Sequence, residues 1–384
     1  VLPLLILLMG VELGVSFFGV LLPQIQQEFR ISASAVALSF SVYHGIRLFI
    51  NVPAGRWISR SSLPMTLGLG GAITAAGAAI AGIAPSYAVV LLGRVVMGTG
   101  SAVFFITSQL WLSKVATPDN KPLLFSYNQI AGLIGAALGP LIGGAVAGLL
   151  SWRYALGISV IAGAIALAAG RRLADPTRGR TGAASEPGPR SAATLRLSAV
   201  FGPGMIMMAL FFFHAGMLSM LFPLFSARAI GLGPAAIGTL LTLGTIWRFG
   251  AAVVGGRLAA WFGTRQVVIV SLALMAASVL TLHLADSLSD LVIALTLMSW
   301  TNVGGSLVVA LVTDVVPEAH WGTALGLNRS MADVGAVLAP ILVGHMIDSR
   351  GFGAAITLVA ACLAGAAVLA AGLTTSRRLH AAPT

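Results

Sequence analysis

Eight side chains able to do chemistry interrupt otherwise apolar stretches of this chain: Glu12, His44, Arg47, Arg94, His214, Arg248, Arg329 and Asp333. In hydrocarbon a charged side chain costs several kcal/mol unless it faces protein or water and finds a partner, so such positions mark ion or substrate pathways. Glu12 stands 11 residues, roughly 16 Å of helix, before Pro23. A carboxyl at that depth holds or releases its proton as its surroundings and a nearby arginine dictate, which makes Glu12 a usable proton switch. Arg47 and Arg248 each precede a loop arginine, Arg56 and Arg257, by nine residues, so both lie roughly 13 Å from the end of their stretch. As cations near the midplane they can converge on one cavity and bind an anion, or tie helices together by salt bridges within each half. His44, three residues before Arg47, shares its helical face. Arg94 sits roughly 10 Å inside its own stretch. Arg329 and Asp333, spaced i,i+4, form a structural or gating pair. His214 follows three phenylalanines and faces core or cavity, and Trp300, Thr301 and Asn302 are further candidates to line a cavity.

The elements that must position these residues are membrane spans. Of 384 residues 58% are hydrophobic and 9% charged, with a mean hydropathy of +0.97, outside the range of a water-soluble domain. A crossing takes roughly 20 apolar residues. Hydropathy, broken by charges and by Gly, Pro, Asp and Ser clusters, predicts twelve helices at about 1–23, 34–56, 63–83, 87–113, 122–148, 154–171, 198–226, 234–256, 266–285, 289–313, 322–346 and 353–375. The first residues lack a basic n-region, so the opening apolar run reads as a first membrane helix rather than a cleaved signal peptide. The long connection at 172–197, rich in Arg, Gly, Pro, Ala and Ser, cannot bury a core and reads as a cytoplasmic linker. It divides the chain into six-helix units at 1–171 and 198–384.

The formal charge of +11 reads as topology rather than as a nucleic-acid footprint. With the N-terminus in the cytoplasm, 14 of the 22 basic residues fall on the inner side, and four, Arg30, Arg153, Arg228 and Arg350, on the outer. The positive-inside rule selects that orientation. The halves also repeat: Asn128, Gly135 and Pro140 recur as Asn328, Gly335 and Pro340 at an offset of 200, and Arg47 and Gly55-Arg56 recur as Arg248 and Gly256-Arg257 at 201.

Three local motifs add to this. The loop after the second span reads Gly55-Arg56-Trp57-Ile58-Ser59-Arg60, and its repeat after the eighth runs from Gly256-Arg257 to Gly263-Thr264-Arg265. Glycine there lets helix ends approach closely, and the arginines can engage helix C-terminal carbonyls or acidic partners, or simply anchor the inner face. The fourth span carries Arg94 four residues before Gly98. The fifth carries Gly135, Gly139-Pro140 and Gly143-Gly144, small residues four apart that allow backbone-to-backbone packing around a proline kink. Its counterpart in the second half is thinner, with Gly335, Ala339, Pro340 and Gly344.

On these motifs the chain resembles the major facilitator superfamily over essentially its whole length, and in particular its 12-helix drug:proton antiporter-type members, whose G-x-x-x-G-P-x-x-G-G motif matches residues 135–144. The resemblance implies an all-α membrane protein of two pseudo-symmetric six-helix bundles, related as parallel repeats about an axis along the membrane normal. It further implies that the loop after the second span latches the outward-facing state. Both loop copies depart from the family's pattern, with Ser59 and Ala260 where the family has Asp. Nitrate/nitrite porters of the same superfamily hold their anion with an arginine from each of the second and eighth spans, but their Gly/Asn-rich signature is missing here.

Other classes fit poorly. Neither Lys114 nor Lys121 follows the glycines of a Walker loop, and no H-E-x-x-H, paired-Cys or G-x-S-x-G element occurs. Cys362 is the single cysteine, so no disulfide framework or thiolate metal site is expected, and no cofactor. The chain therefore reads as a transporter and not an enzyme, monomeric, in the inner (cytoplasmic) membrane with both termini cytoplasmic. The favoured reading is proton-coupled efflux of a small amphipathic organic compound by alternating access; the alternative is a carrier of a small organic or inorganic anion. Glu12, Arg94 and Asp333 are the candidate proton-coupling set. Arg47, Arg248, His44, His214, Trp300 and Asn302 are candidate substrate ligands. Gly55, Arg56, Arg60, Gly256, Arg257, Arg265, Gly139, Pro140, Gly143, Gly144 and Arg329 are candidate gating and structural residues.

Overall fold

The structure, a computed structural model, describes residues 1–58, 61–117, 121–170, 172–173, 197–308, 311 and 321–378. Among these the chain is helical throughout and forms no strand. The helices are α1 (Leu2–Ser16), α2 (Phe18–Phe29), α3 (Ala33–Ile58), α4 (Leu63–Gly82), α5 (Tyr87–Val115), α6 (Lys121–Leu149) and α7 (Trp152–Gly170), followed by α8 (Leu197–Phe212), a π-helical stretch (Phe213–Leu221), α9 (Phe222–Arg228), α10 (Pro234–Phe262), α11 (Thr264–Leu280), α12 (Leu288–Thr301) and α13 (Trp321–Arg378). Proline stands in the first turn of α1 and α4, where its missing N–H costs nothing. α12 opens on a capping box between Ser287 and Asp290.

Ten helical stretches of the described residues are long and apolar enough to cross a membrane, against twelve expected. One of the ten, Leu327–Gly372, spans 46 residues and holds both helices expected at 322–346 and 353–375, separated by Gly351 at φ 82, ψ 179. The departure is α12, a shorter apolar helix that passes into a 3₁₀ segment at Asn302–Leu307. The expected linker at 172–197 lies, except for residues 172, 173 and 197, outside the described residues.

By its contacts the chain forms two compact units, Val1–Glu186 with Gly231–Leu243, and Pro187–Ile230 with Gly244–Thr384. In the first, α4 packs on α5 and α7, α1 on α6, and α3 on α5. Glycines make these approaches possible: a Cβ built on Gly93 would stand 2.6 Å from the Gly77 carbonyl. Leu4, Leu8, Leu67, Phe104, Leu112 and Ala166 lie in one buried cluster. In the second unit α13 packs on α8, the π stretch and α11. α10 is divided between the units at Leu243.

Candidate functional site

In the first unit the ionisable residues come from α1, α3 and α5. Glu12 is half-buried and leans on α6, where a Cβ on Gly135 would lie 2.9 Å from the Glu12 Cβ and one on Gly132 4.0 Å from its Cγ. The glycines of α6 continue along α1: a Cβ on Gly139 would come 2.7 Å from the Leu13 carbonyl, and Gly143 abuts the Phe17 ring. The Ser16 hydroxyl donates to the carbonyls of Leu13 and Gly135, at 3.4 and 3.5 Å. The opposite side of the motif receives the start of α10. A Cβ on Gly144 would lie 2.6 Å from the Pro234 carbonyl, Gly238 rests on the Pro140 carbonyl, and the Thr242 hydroxyl donates to the Ala137 carbonyl at 2.6 Å. The motif therefore packs on both faces.

Arg94 is 1% exposed, and its partners are aromatic. The guanidinium carbon lies 3.9 Å from the ring centroid of Phe18, 4.2 Å from that of Tyr43 and 5.7 Å from that of Phe40. Its Nε donates to the Ser39 carbonyl at 3.0 Å, and Nη1 approaches the Met97 sulfur at 3.9 Å. A desolvated cation–π contact contributes about 2 kcal/mol and a charge-assisted hydrogen bond about 1.5–3 kcal/mol. Together these are comparable with the several kcal/mol that burying an ion costs, so the cation is tolerated without a carboxylate. No carboxylate lies within ion-pair distance of Arg94 among the described residues.

Tyr43 also reaches Arg47. Arg47 Nη1 donates to the Tyr43 hydroxyl at 3.4 Å, and its guanidinium lies 5.6 Å from the Tyr43 centroid and 5.3 Å from that of Phe105. The His44 ring stands edge-on to Tyr43 at 5.1 Å. Ser39, Tyr43 and Arg47 recur every four residues along α3, which puts them on one face.

The second unit holds a matching constellation. Arg248 Nη1 lies 3.0 Å from His214 Nδ1, and Nη2 donates to the Thr245 hydroxyl at 3.0 Å. His214 sits in the π-helical stretch, and its carbonyl accepts from the Ser219 hydroxyl at 3.1 Å. π-Helical turns that interrupt α-helices are frequent at functional sites. On the side of α10 toward α12, Trp247 and Trp300 stack at 6.0 Å. Trp300 is exposed and Asn302 half-buried, with the Asn302 Oδ1, Trp247 Nε1 and Ser299 Oγ buried and without hydrogen-bond partners. Arg329 and Asp333 meet at 3.9 Å, the arginine exposed and the aspartate buried. The Arg329 guanidinium also lies 5.1 Å from the Phe211 ring, one helical turn from His214.

The basic loops are less informative. Arg60 and the Arg56 side chain lie outside the described residues. Gly55 and Gly256 were expected to permit close helix approach, but a Cβ on either would meet nothing within 4 Å, so no packing constraint among the described residues explains them. Arg257 is exposed and Arg265 half-buried. Sequence reasoning missed Tyr43, Phe18, Phe40, Phe105, Thr245 and Trp247. Tyr43 and Thr245 were detectable as i−4 and i−3 neighbours of the two arginines; Phe18, on another helix, left no such signal.

The model of the Major Facilitator Superfamily matches residues 4–246 and 204–383. Multidrug resistance protein 1 of Bacillus subtilis (strain 168) is 23% identical over 346 residues, covering 88% of this chain and 86% of that protein. The Fosmidomycin resistance protein of Escherichia coli (strain K12) is 28% identical over 120 residues, 31% of this chain and 29% of that one. Among solved structures, a bacterial homolog of the human lysosomal transporter Spinster, in an inward-facing and occupied conformation, superposes with a TM-score of 0.81 at 16% identity, covering 97% of this chain and 96% of that one.

Proposed function

Since the chain belongs to the major facilitator superfamily, and is thus a multi-pass membrane transporter rather than an enzyme, we propose that it exports a small amphipathic organic compound in exchange for inward-moving protons. The observation that carries this reading is the seat of Glu12 on Gly135, which joins the candidate proton-coupling carboxylate to the glycine motif of α6. The likeness to a multidrug resistance protein along 88% of the chain supports an efflux role. The cycle is alternating access: a change in Glu12 protonation changes the cost of burying its carboxyl against α6 and shifts the relative stability of two states. Asp333, ion-paired with Arg329, is the second candidate for coupling. The 14 to 4 distribution of basic residues supports cytoplasmic termini; an inner-membrane location and a monomeric state complete the proposal.

The test is flux in proteoliposomes. With an imposed pH gradient the purified protein moves a fluorescent amphipathic dye against its concentration; Glu12→Gln abolishes the pH dependence and retains counterflow exchange. Uphill pumping by Glu12→Gln at the wild-type rate removes Glu12 from the coupling step.

The second reading, carriage of a small anion, is favoured by one observation: Arg248 is held by a histidine and a threonine instead of a carboxylate, so its charge is not cancelled there.

A further inference from the structure

We propose that His214 and Arg248 form a receptor for a single carboxylate group on the transported compound. This rests on the transporter reading and assigns a substrate class to that site.

The argument begins with a hydrogen-bond rule. Arginine has five N–H donors and no acceptor. In the 3.0 Å contact between Arg248 Nη1 and His214 Nδ1 the imidazole nitrogen must therefore accept, and the ring carries its proton on Nε2. Arg248 fixes the tautomer of His214. The far edge of the ring then presents an N–H, and no described residue accepts from it. The ring itself is exposed, so this donor faces accessible space.

The second donor is Arg248 Nε. It is buried and has no hydrogen-bond partner, while Nη1 and Nη2 each spend one of their two N–H groups on His214 and Thr245. A buried donor left unpaired costs about 1–3 kcal/mol, so this N–H calls for a partner, and a ligand is one that can supply it. The site thus offers at least two N–H groups, one on the imidazole and one on the guanidinium, and one positive charge, with the π-helical stretch holding the histidine at its first turn.

Two donors match the two oxygens of a carboxylate. One cation matches one negative charge: a dianion would leave an uncompensated charge in the membrane interior, which is costly. Arg329 does not change this count, because Asp333 lies 3.9 Å away. The neighbouring Trp247 and Trp300 rings add apolar surface for the body of an organic acid.

The experiment measures equilibrium binding, with no gradient, to the purified full chain in nanodiscs. The probe is benzoate, with benzamide as its neutral isostere, and sulfate and nitrate as inorganic competitors. Benzoate binds and benzamide does not. Arg248→Gln and His214→Phe each weaken benzoate binding at least tenfold. His214→Gln, which keeps a donor at a similar reach, recovers part of the loss, and this partial rescue separates binding from misfolding. Competition by sulfate or nitrate equal to that of benzoate overturns the carboxylate assignment. Unchanged benzoate affinity in both variants overturns the site. Failure here with dye flux intact removes this inference and leaves the efflux reading standing; failure of pH-driven flux with benzoate binding intact does the reverse.

Discussion

The Tyr43 ring is shared by two guanidinium groups: its centroid lies 4.2 Å from the guanidinium carbon of Arg94 and 5.6 Å from that of Arg47. The first is sealed in the core at 1% exposure, and the second is half-buried and bonded to the tyrosine hydroxyl. A structural cation and a candidate ligand are thus coupled through one side chain.

Tyr43→Leu removes a face of the Arg94 enclosure and both contacts to Arg47, and is expected to lower stability by about 2 kcal/mol. Tyr43→Phe keeps the ring and loses only the 3.4 Å hydrogen bond, at a cost below about 1 kcal/mol. Melting in detergent checks both. A Tyr43→Leu protein that melts with the wild type would mean that the rings do not hold Arg94.

Gly135→Ala places a methyl 2.9 Å from the Glu12 Cβ, so α1 and α6 must separate; overpacking of this kind costs about 1–3 kcal/mol. Gly132→Ala has ordinary room, 4.0 Å from the Glu12 Cγ, and is expected to be tolerated. The two are compared by thermal stability and by dye flux, and equal behaviour would deny Gly135 its role as the seat of Glu12.

Glu28 accepts from Trp152 Nε1 at 2.5 Å and from Arg153 Nη2 at 2.6 Å, while Arg153 Nη1 donates to the Gly82 carbonyl at 2.9 Å. Both charged groups are partly exposed, so Arg153→Ala is expected to cost about 1 kcal/mol or less, and less again in high salt. Glu28→Ala costs more, because it strands the Trp152 donor in a 2% exposed side chain. Melting curves at two salt concentrations distinguish the variants.

Gly351 holds φ 82, ψ 179, a region open essentially to glycine that costs other residues about 1–3 kcal/mol. Gly351→Ala should destabilise by that amount, whereas Gly365→Ala, in open space inside a helix, should be neutral or slightly stabilising. A neutral Gly351→Ala would show that the two halves of α13 can join by another route.

Much of the fold was legible because the membrane imposes a simple code. Apolar runs, loop arginines and the offset repeat predict a helical transporter, and the family match bears that out. Departures occur where the code is silent. The break at Gly351 falls between the helices expected at 322–346 and 353–375, where Asp348, Ser349 and Arg350 interrupt the apolar run, whereas α12 ends early where Asn302 opens a 3₁₀ turn. The ionisable residues were legible one by one, since charge in an apolar run is conspicuous. Their partners were not. Arg94 was expected to need a partner, and the partners it meets are three rings, of which Phe18 is separated from it by 76 positions. The 3.9 Å approach of Arg329 to Asp333 follows from i,i+4 spacing alone, whereas the contact of Arg248 with His214 joins two helices that no local pattern relates.

The π-helical stretch at Phe213–Leu221 closes each turn on the fifth residue instead of the fourth, so it stores surplus chain within an otherwise continuous rod. Were one wide turn to tighten to the α form, every residue on one side of it would rotate by about 100° relative to the other, the angular step of an α-helix. His214, in the first of those turns, would swing away from Arg248 without any helix unfolding. Helix winding could thereby work as a rotary release for whatever the imidazole holds.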